Sequence, residues 1–296
     1  MGGPVRIFTR VILLGIIVLA VFMFRSPAAE SPHIRMEKGT GQLIVNGQPF
    51  LILGGELGNS SAGTAEQADV IIPRLRSLHV NTILMPVAWE QIEPKEGSFD
   101  FAILDHWVET HAGKSEYPLP IYVNGSSRCP GERPGEYPSG GPHPYYLEVW
   151  RAAAASIDLY SPDIYWPNFE YWVARYQVAR NPIFIPETQI EGAPYNALYS
   201  YGEARAFGFS PFAIDSLKPP ANDADPKPEI TQVYELLDSM RDLLPSAQAG
   251  GLTRGLVLHT TSLRPTRTIA LGGYLSKPRS HDRGRPEPSP LTMVPC

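Results

Sequence analysis

Cysteine is nearly absent: the 296 residues contain two, Cys129 in a Pro/Gly-rich loop and Cys296 at the last position. Two are too few for a disulfide framework and stand at no metal-ligand spacing, so neither a disulfide nor a metal is expected. His79, His106 and His143 have no partner spacing that suggests zinc or a catalytic triad, and they read as structural or exposed. Nothing in the sequence asks for a cofactor. A basic stripe is also missing: the net charge is −5 with a pI near 5.8, which sets nucleic acid aside as a partner.

Also lacking is an apolar run long enough to be an ordinary membrane span. The run Val11 to Phe24, "VILLGIIVLAVFMF", is shorter than the roughly 20 residues a bilayer needs. Arg6 and Arg10 precede it and the small residues of "RSPAAE" follow it, so residues 1–29 read as a secretory signal. The alternative is an uncleaved membrane anchor, since Ile7 and Phe8 extend the run. Either way the remainder of the chain is expected outside the cytoplasm, in the periplasm or the extracellular space.

What is present is core-forming material, 43% hydrophobic residues, enough for one large α/β domain or two smaller ones. "GQLIVNGQPFLILGGELGN" reads as a strand, an Asn46-Gly47 turn and a second apolar strand ending at Gly54, Gly55 and Glu56. "AEQADVIIPRLRSLHV" spaces Val70, Ile71, Leu75 and Leu78 as a helix, and "VNTILMPV" follows as a strand. Pro94 and Gly97 mark a loop, Asp100 is a plausible cap, and Ile103, Leu104 and Trp107 begin a further helix. Glu90 and Glu93 read as loop-fixing groups. A short helix is expected in "PHPYYLEVWRA" and a longer one from Ile230 to about Leu244.

Further strand candidates are "PLPIYVN" (118–124), "SIDLYSPDIYW" (156–166), "NPIFIPE" (181–187) and "AFGFSPFAID" (206–215), making six with the two above. The rhythm is that of a (β/α)8 barrel, but a complete barrel needs eight strands. Ten residues lie between Trp107 and Pro118, too few for a crossover unit, so two β-α units are absent there. Residues 40–245 are therefore assigned to an incomplete TIM-type barrel. Residues 246–276, with "LTRGLVLHTTS" and "TIALGGYL", read as the start of a C-terminal β-domain, and the polar tail 277–296 is expected to be disordered.

"NPIFIPETQ" runs straight from a buried apolar strand into Glu187. In a barrel the polar residue just past such a run lies at the C-terminal mouth, where catalytic groups collect. A helix N-cap or a surface glutamate is the plain alternative. Glu56, Trp89, Asn124, Tyr165 and Trp166 also read as mouth residues at strand ends. The asparagine could donate or accept, and the aromatic faces could frame a site or simply pack in the core.

The stretch "VAWEQIEPKEGSFDF", Val87 to Phe101, resembles the Trp-x-x-x-Glu-Pro-x-x-Gly-x-Phe-Asp-Phe signature of retaining β-galactosidases of glycoside hydrolase families 35 and 42. "ILGGELGNS", "YPSGGPHPYYLEVWRA", "SIDLYSPDIYWPNFEYW" and "NPIFIPET" extend the likeness over roughly residues 40 to 275. The resemblance implies hydrolysis of terminal β-galactosides of oligo- or polysaccharides, with Glu187 as nucleophile and Glu56 holding sugar hydroxyls. It also implies an acid/base glutamate in an Asn-Glu pair ending the fourth strand. This chain has no Asn-Glu dipeptide, and the missing segment after Trp107 is where the third and fourth strands would lie, so the acid/base group is not found. Glu109 and Glu116 flank the gap but end no apolar strand and read as solvated loop charges. The alternative function is a non-catalytic carbohydrate-binding remnant or an inactive fragment. A third reading, an unrelated exported α/β binding protein, would make the signature and the "IPE" strand end coincidental.

Overall fold

A computed structural model describes residues 30–255, apart from 62, 108–118, 129–130, 140, 167, 179 and 223–224, together with two short strands at 269–271 and 274–276. The expected signal, the Trp107–Pro118 junction with Glu109 and Glu116, both cysteines, most of "LTRGLVLHTTS" and the polar tail lie outside the described residues.

The chain enters through three antiparallel strands, β1 (His33–Glu37), β2 (Thr40–Val45) and β3 (Gln48–Phe50). Both connections are two-residue turns at positive φ, Lys38-Gly39 and the expected Asn46-Gly47, as a tight type I′ hairpin turn requires. Gly41 of β2 sits against Pro182 so closely that a Cβ would fall 2.4 Å from the proline's own Cβ. The hairpin layer thus lies at the end of the sheet where strands begin.

Six parallel strand positions follow: β4 (Ile52–Glu56), β5 (Thr82–Leu84), β6 (Tyr122–Ser126), β7 (Leu159–Ile164), a broken strand β8 (Phe184–Ile185) and β9 (Glu187–Thr188), and β10 (Gly208–Phe209). They match the six expected runs. Hydrogen bonding orders them β5-β4-β10-β8 and β6-β7-β9, and the break at Pro186 joins the two sets. Each strand therefore neighbours its predecessor in sequence, and the first returns beside the last. The one interruption falls between β5 and β6, which each pair on one side only among the described residues.

The sheet curls. Ile52, Leu159 and Phe184 form a cluster with Phe207, and Leu84 and Tyr122 from the two edge strands pack onto it. Gly208 makes room for this interior layer, since a Cβ there would meet the Phe184 ring at 2.7 Å and Ile52 Cβ at 2.8 Å. A larger cluster fills the space between the outer face and the helices. The described chain is thus a mixed α/β fold with helices outside a curved parallel sheet.

The helices are α1 (Ala65–Ser77), α2 (Trp89–Ile92), α3 (Ala102–Trp107), α4 (Leu147–Ala153), α5 (Phe169–Tyr176), α6 (Ala193–Gly202), α7 (Glu229–Ser239) and α8 (Leu244–Ala249). In α1 a capping box between Thr64 and Gln67 satisfies two backbone donors, and Ala68, Ile71, Ile72 and Leu75 face the sheet. Val70, expected on that stripe, is exposed instead. The helix expected to run from Ile230 to Leu244 stops at Ser239 and restarts at Leu244, because Pro245 fits only the first turn of a helix.

The broken strand has a geometric cause. Phe184 points into the interior cluster and Ile185 into the outer one, so strict alternation would send Glu187 outward, toward the helices. Ser210 N donates to Ile185 O and Phe212 N to Thr188 O, two residues on β10 spanning three on its partner. This is a one-residue β-bulge at Pro186, a residue with no N–H to give to a ladder. The bulge pairs Glu187 with Asp163 of β7, on the concave side.

Candidate active site

Three carboxyl groups meet at the C-terminal ends of the strands: Glu56, Asp163 and Glu187. Glu56 is the last residue of β4, held by its backbone N–H to Pro211 O at 3.0 Å. Its Oε2 is closed off from solvent and has no hydrogen-bond partner. Burial, reinforced by the charges of Glu187 and Asp163, pushes its carboxyl up to about 8, so the group carries a proton at neutral pH.

Asp163, only 7% exposed, was not singled out from the sequence. Both of its oxygens accept from Asn124 Nδ2 at 2.9 Å. Burial raises it to about 7, the Asn124 bond works in the opposite direction, and Glu187 adds to the rise. The signal that could have found it is a charged residue inside "LYSPDI", six buried positions in a row. A charge in such a strand is expensive unless partnered, and so marks a site.

Glu187 accepts the Tyr165 hydroxyl hydrogen at 2.5 Å. Burial, that bond and the charge of Glu187 raise the Tyr165 phenol far above its ordinary range, keeping it a donor. Tyr122 is raised to about 12, by burial first and then by the charges of Glu56, Asp163 and Glu187.

Of the residues expected at the mouth, Asn124, Tyr165 and Glu187 are linked by these contacts through Asp163, and Glu56 feels the charges of Glu187 and Asp163. Trp166 is tied to the end of β6, its Nε1 donating to Ser127 O at 3.0 Å. Trp89 is not at a strand end: it begins α2, is 65% exposed and donates to Glu93 Oε2 at 2.9 Å. Its ring meets Phe99 edge-on at 6.4 Å, and Phe99 stacks on Phe101 at 6.3 Å. Glu93 also accepts from Gly97 N, and Asp100 Oδ1 caps α3 through Ala102 N at 2.9 Å, so these two acids fix the loop as the sequence suggested. His143 is buried and bonded to Pro138 O, whereas His79 and His106 sit beside Glu235 and Asp69. Among the described residues no group of three or more His, Cys, Asp or Glu side chains is arranged to hold a metal ion.

A protonated carboxyl beside a second one held by a phenol is suited to acid-base chemistry. Residues 59–117 match the family model of the beta-galactosidases of glycoside hydrolase family 42. That segment contains Trp89, Glu93 and Asp100 and stops short of Asp163 and Glu187. Among curated proteins no match is found.

Proposed function

We propose that this protein is a glycoside hydrolase of β-galactosidase type that releases terminal β-galactose from oligo- or polysaccharides outside the cytoplasm. In this reading the curved sheet is a (β/α)8 barrel without its third and fourth units. Glu187 is the nucleophile, attacking the anomeric carbon to give a glycosyl-enzyme, and Tyr165 orients it. The observation that carries the reading is the cluster itself: a strand bulge turns Glu187 inward to meet Asp163, Glu56 and the Tyr165 hydroxyl. The match of residues 59–117 supports the sugar class.

The test is the stereochemistry of the first product. Proton NMR of the protein acting on an aryl β-galactoside should show β-galactose appearing before mutarotation. Initial α-galactose would mean inversion and would remove the glycosyl-enzyme from the account. No turnover of aryl β-galactosides would favour the carbohydrate-binding alternative, to which the edge at β6, unpaired among the described residues and with Leu119 67% and Ile121 53% exposed, lends weight.

A further inference from the structure

A retaining hydrolase needs a second carboxyl group, protonated when the glycosidic bond breaks and ionised when water attacks. The Asn-Glu pair that would supply it is absent from the sequence. Two carboxyls stand close to Glu187, and they differ in how they are held. Both oxygens of Asp163 are engaged by Asn124 Nδ2, whereas no hydrogen bond holds Glu56 Oε2, and Asp163 lies directly across the β7–β9 pairing from the nucleophile. Glu56 sits two strands from Glu187 on the other side, with β10 between. At about 4.8 Å per strand their backbones are roughly 10 Å apart, and the curl of the sheet turns both side chains inward. Glu56 Oε2 is buried without a partner, so no protein group holds that oxygen in one protonation state.

We propose that Glu56 is the acid/base residue of this site. Its proton passes to the glycosidic oxygen as the bond from that oxygen to the anomeric carbon breaks and the bond from Glu187 forms. The Glu56 carboxylate then takes a proton from water, whose oxygen bonds to the anomeric carbon as the Glu187 ester breaks. Glu187, Asp163, Tyr165 and Tyr122 are the titratable groups around it. Asp215, in the short turn Ile214–Ser216 after β10, is occupied by Gly58 N and Ser61 Oγ. The groups that act on Glu56 are thus acidic or phenolic and favour its neutral form, while the residue as a whole is only partly buried.

The proposal rests on Glu187 as nucleophile, and the experiment separates the two. The full chain, Glu56→Gln and Glu56→Ala are first labelled with a fluorinated galactoside bearing an activated leaving group, which needs no general acid. Turnover of phenyl and dinitrophenyl β-galactosides is then compared. Loss of the acid should lower kcat/KM for the phenyl galactoside by about 10²–10⁴-fold while leaving formation of the labelled enzyme intact. Azide should restore turnover of the dinitrophenyl substrate by Glu56→Ala and yield β-galactosyl azide. Equal losses on both substrates without azide product would overturn the proposal and leave Glu56 as a hydroxyl acceptor. If the variants take no label while the wild type does, the wild-type pH profile decides. A basic limb near pH 8 for the phenyl substrate, absent for the dinitrophenyl one, supports Glu56, and identical profiles overturn it. An unlabelled wild type overturns the nucleophile assignment and the proposal with it.

Discussion

The Tyr165 hydroxyl donates to Glu187 Oε1 from the strand next door, so the loop leaving β7 and the bulge in β8–β9 are tied together at the candidate nucleophile. Neither residue reaches the other without the bulge. A phenol kept protonated by burial is a fixed donor, and a fixed donor selects one orientation of the carboxylate.

Tyr165→Phe removes that donor and nothing of the ring. A hydrogen bond to a charged group is worth about 1.5–3 kcal/mol, so kcat on an activated galactoside should fall by roughly 10- to 150-fold. Thermal unfolding should move little, because the phenol is only half-buried. Unchanged kcat would show that Tyr165 does not position Glu187.

The carboxyl cluster also fixes how stability depends on pH. Asp163 and Glu56 bind their protons more tightly folded than unfolded, at about 7 and about 8 against ordinary values of 3.8 and 4.5. As pH rises above about 4 the unfolded chain releases these protons while the folded chain keeps them, so stability falls until both folded groups have ionised. The midpoint of thermal unfolding should therefore be higher at pH 5 than at pH 8.5. Asp163→Asn should flatten that slope, and a slope unchanged by the substitution would contradict the assignment.

Asn181 makes a separate, structural prediction. Its side chain accepts from Tyr160 N at 2.9 Å and donates to Tyr160 O at 2.7 Å and Tyr176 O at 3.1 Å, all buried. Asn181→Ala leaves three backbone groups without partners, at about 1–3 kcal/mol each where water cannot enter. A loss of roughly 3 kcal/mol or more is expected in urea unfolding, together with weaker binding, since Asn181 leads into the strand that carries Glu187.

Much of this was legible in the chain and some was not, for physical reasons. The six strands could be read because apolar runs such as "IFI" and "VNTIL" are bounded by prolines, asparagines and helix-like spacing. β1, "HIRME", was not readable, because only pairing with β2 makes a strand of it. Glu187 could be placed at a strand end but not on a face, since the alternation is broken by a bulge whose one visible sign is Pro186. Asp163 hid inside an apparent core strand, its cost offset by Asn124, 39 residues away in sequence and across one ladder. Trp89 read as a mouth residue because β5 was expected to run to Val87, whereas it ends at Leu84 and the chain turns into α2.

The most direct measurement is intact-mass analysis of the full chain and of Glu187→Gln after incubation with a fluorinated galactoside carrying an activated leaving group. The account predicts one fluorogalactosyl adduct on the wild type, mapped to Glu187, and none on the variant. No adduct on the wild type, or an adduct that persists in Glu187→Gln, would contradict it.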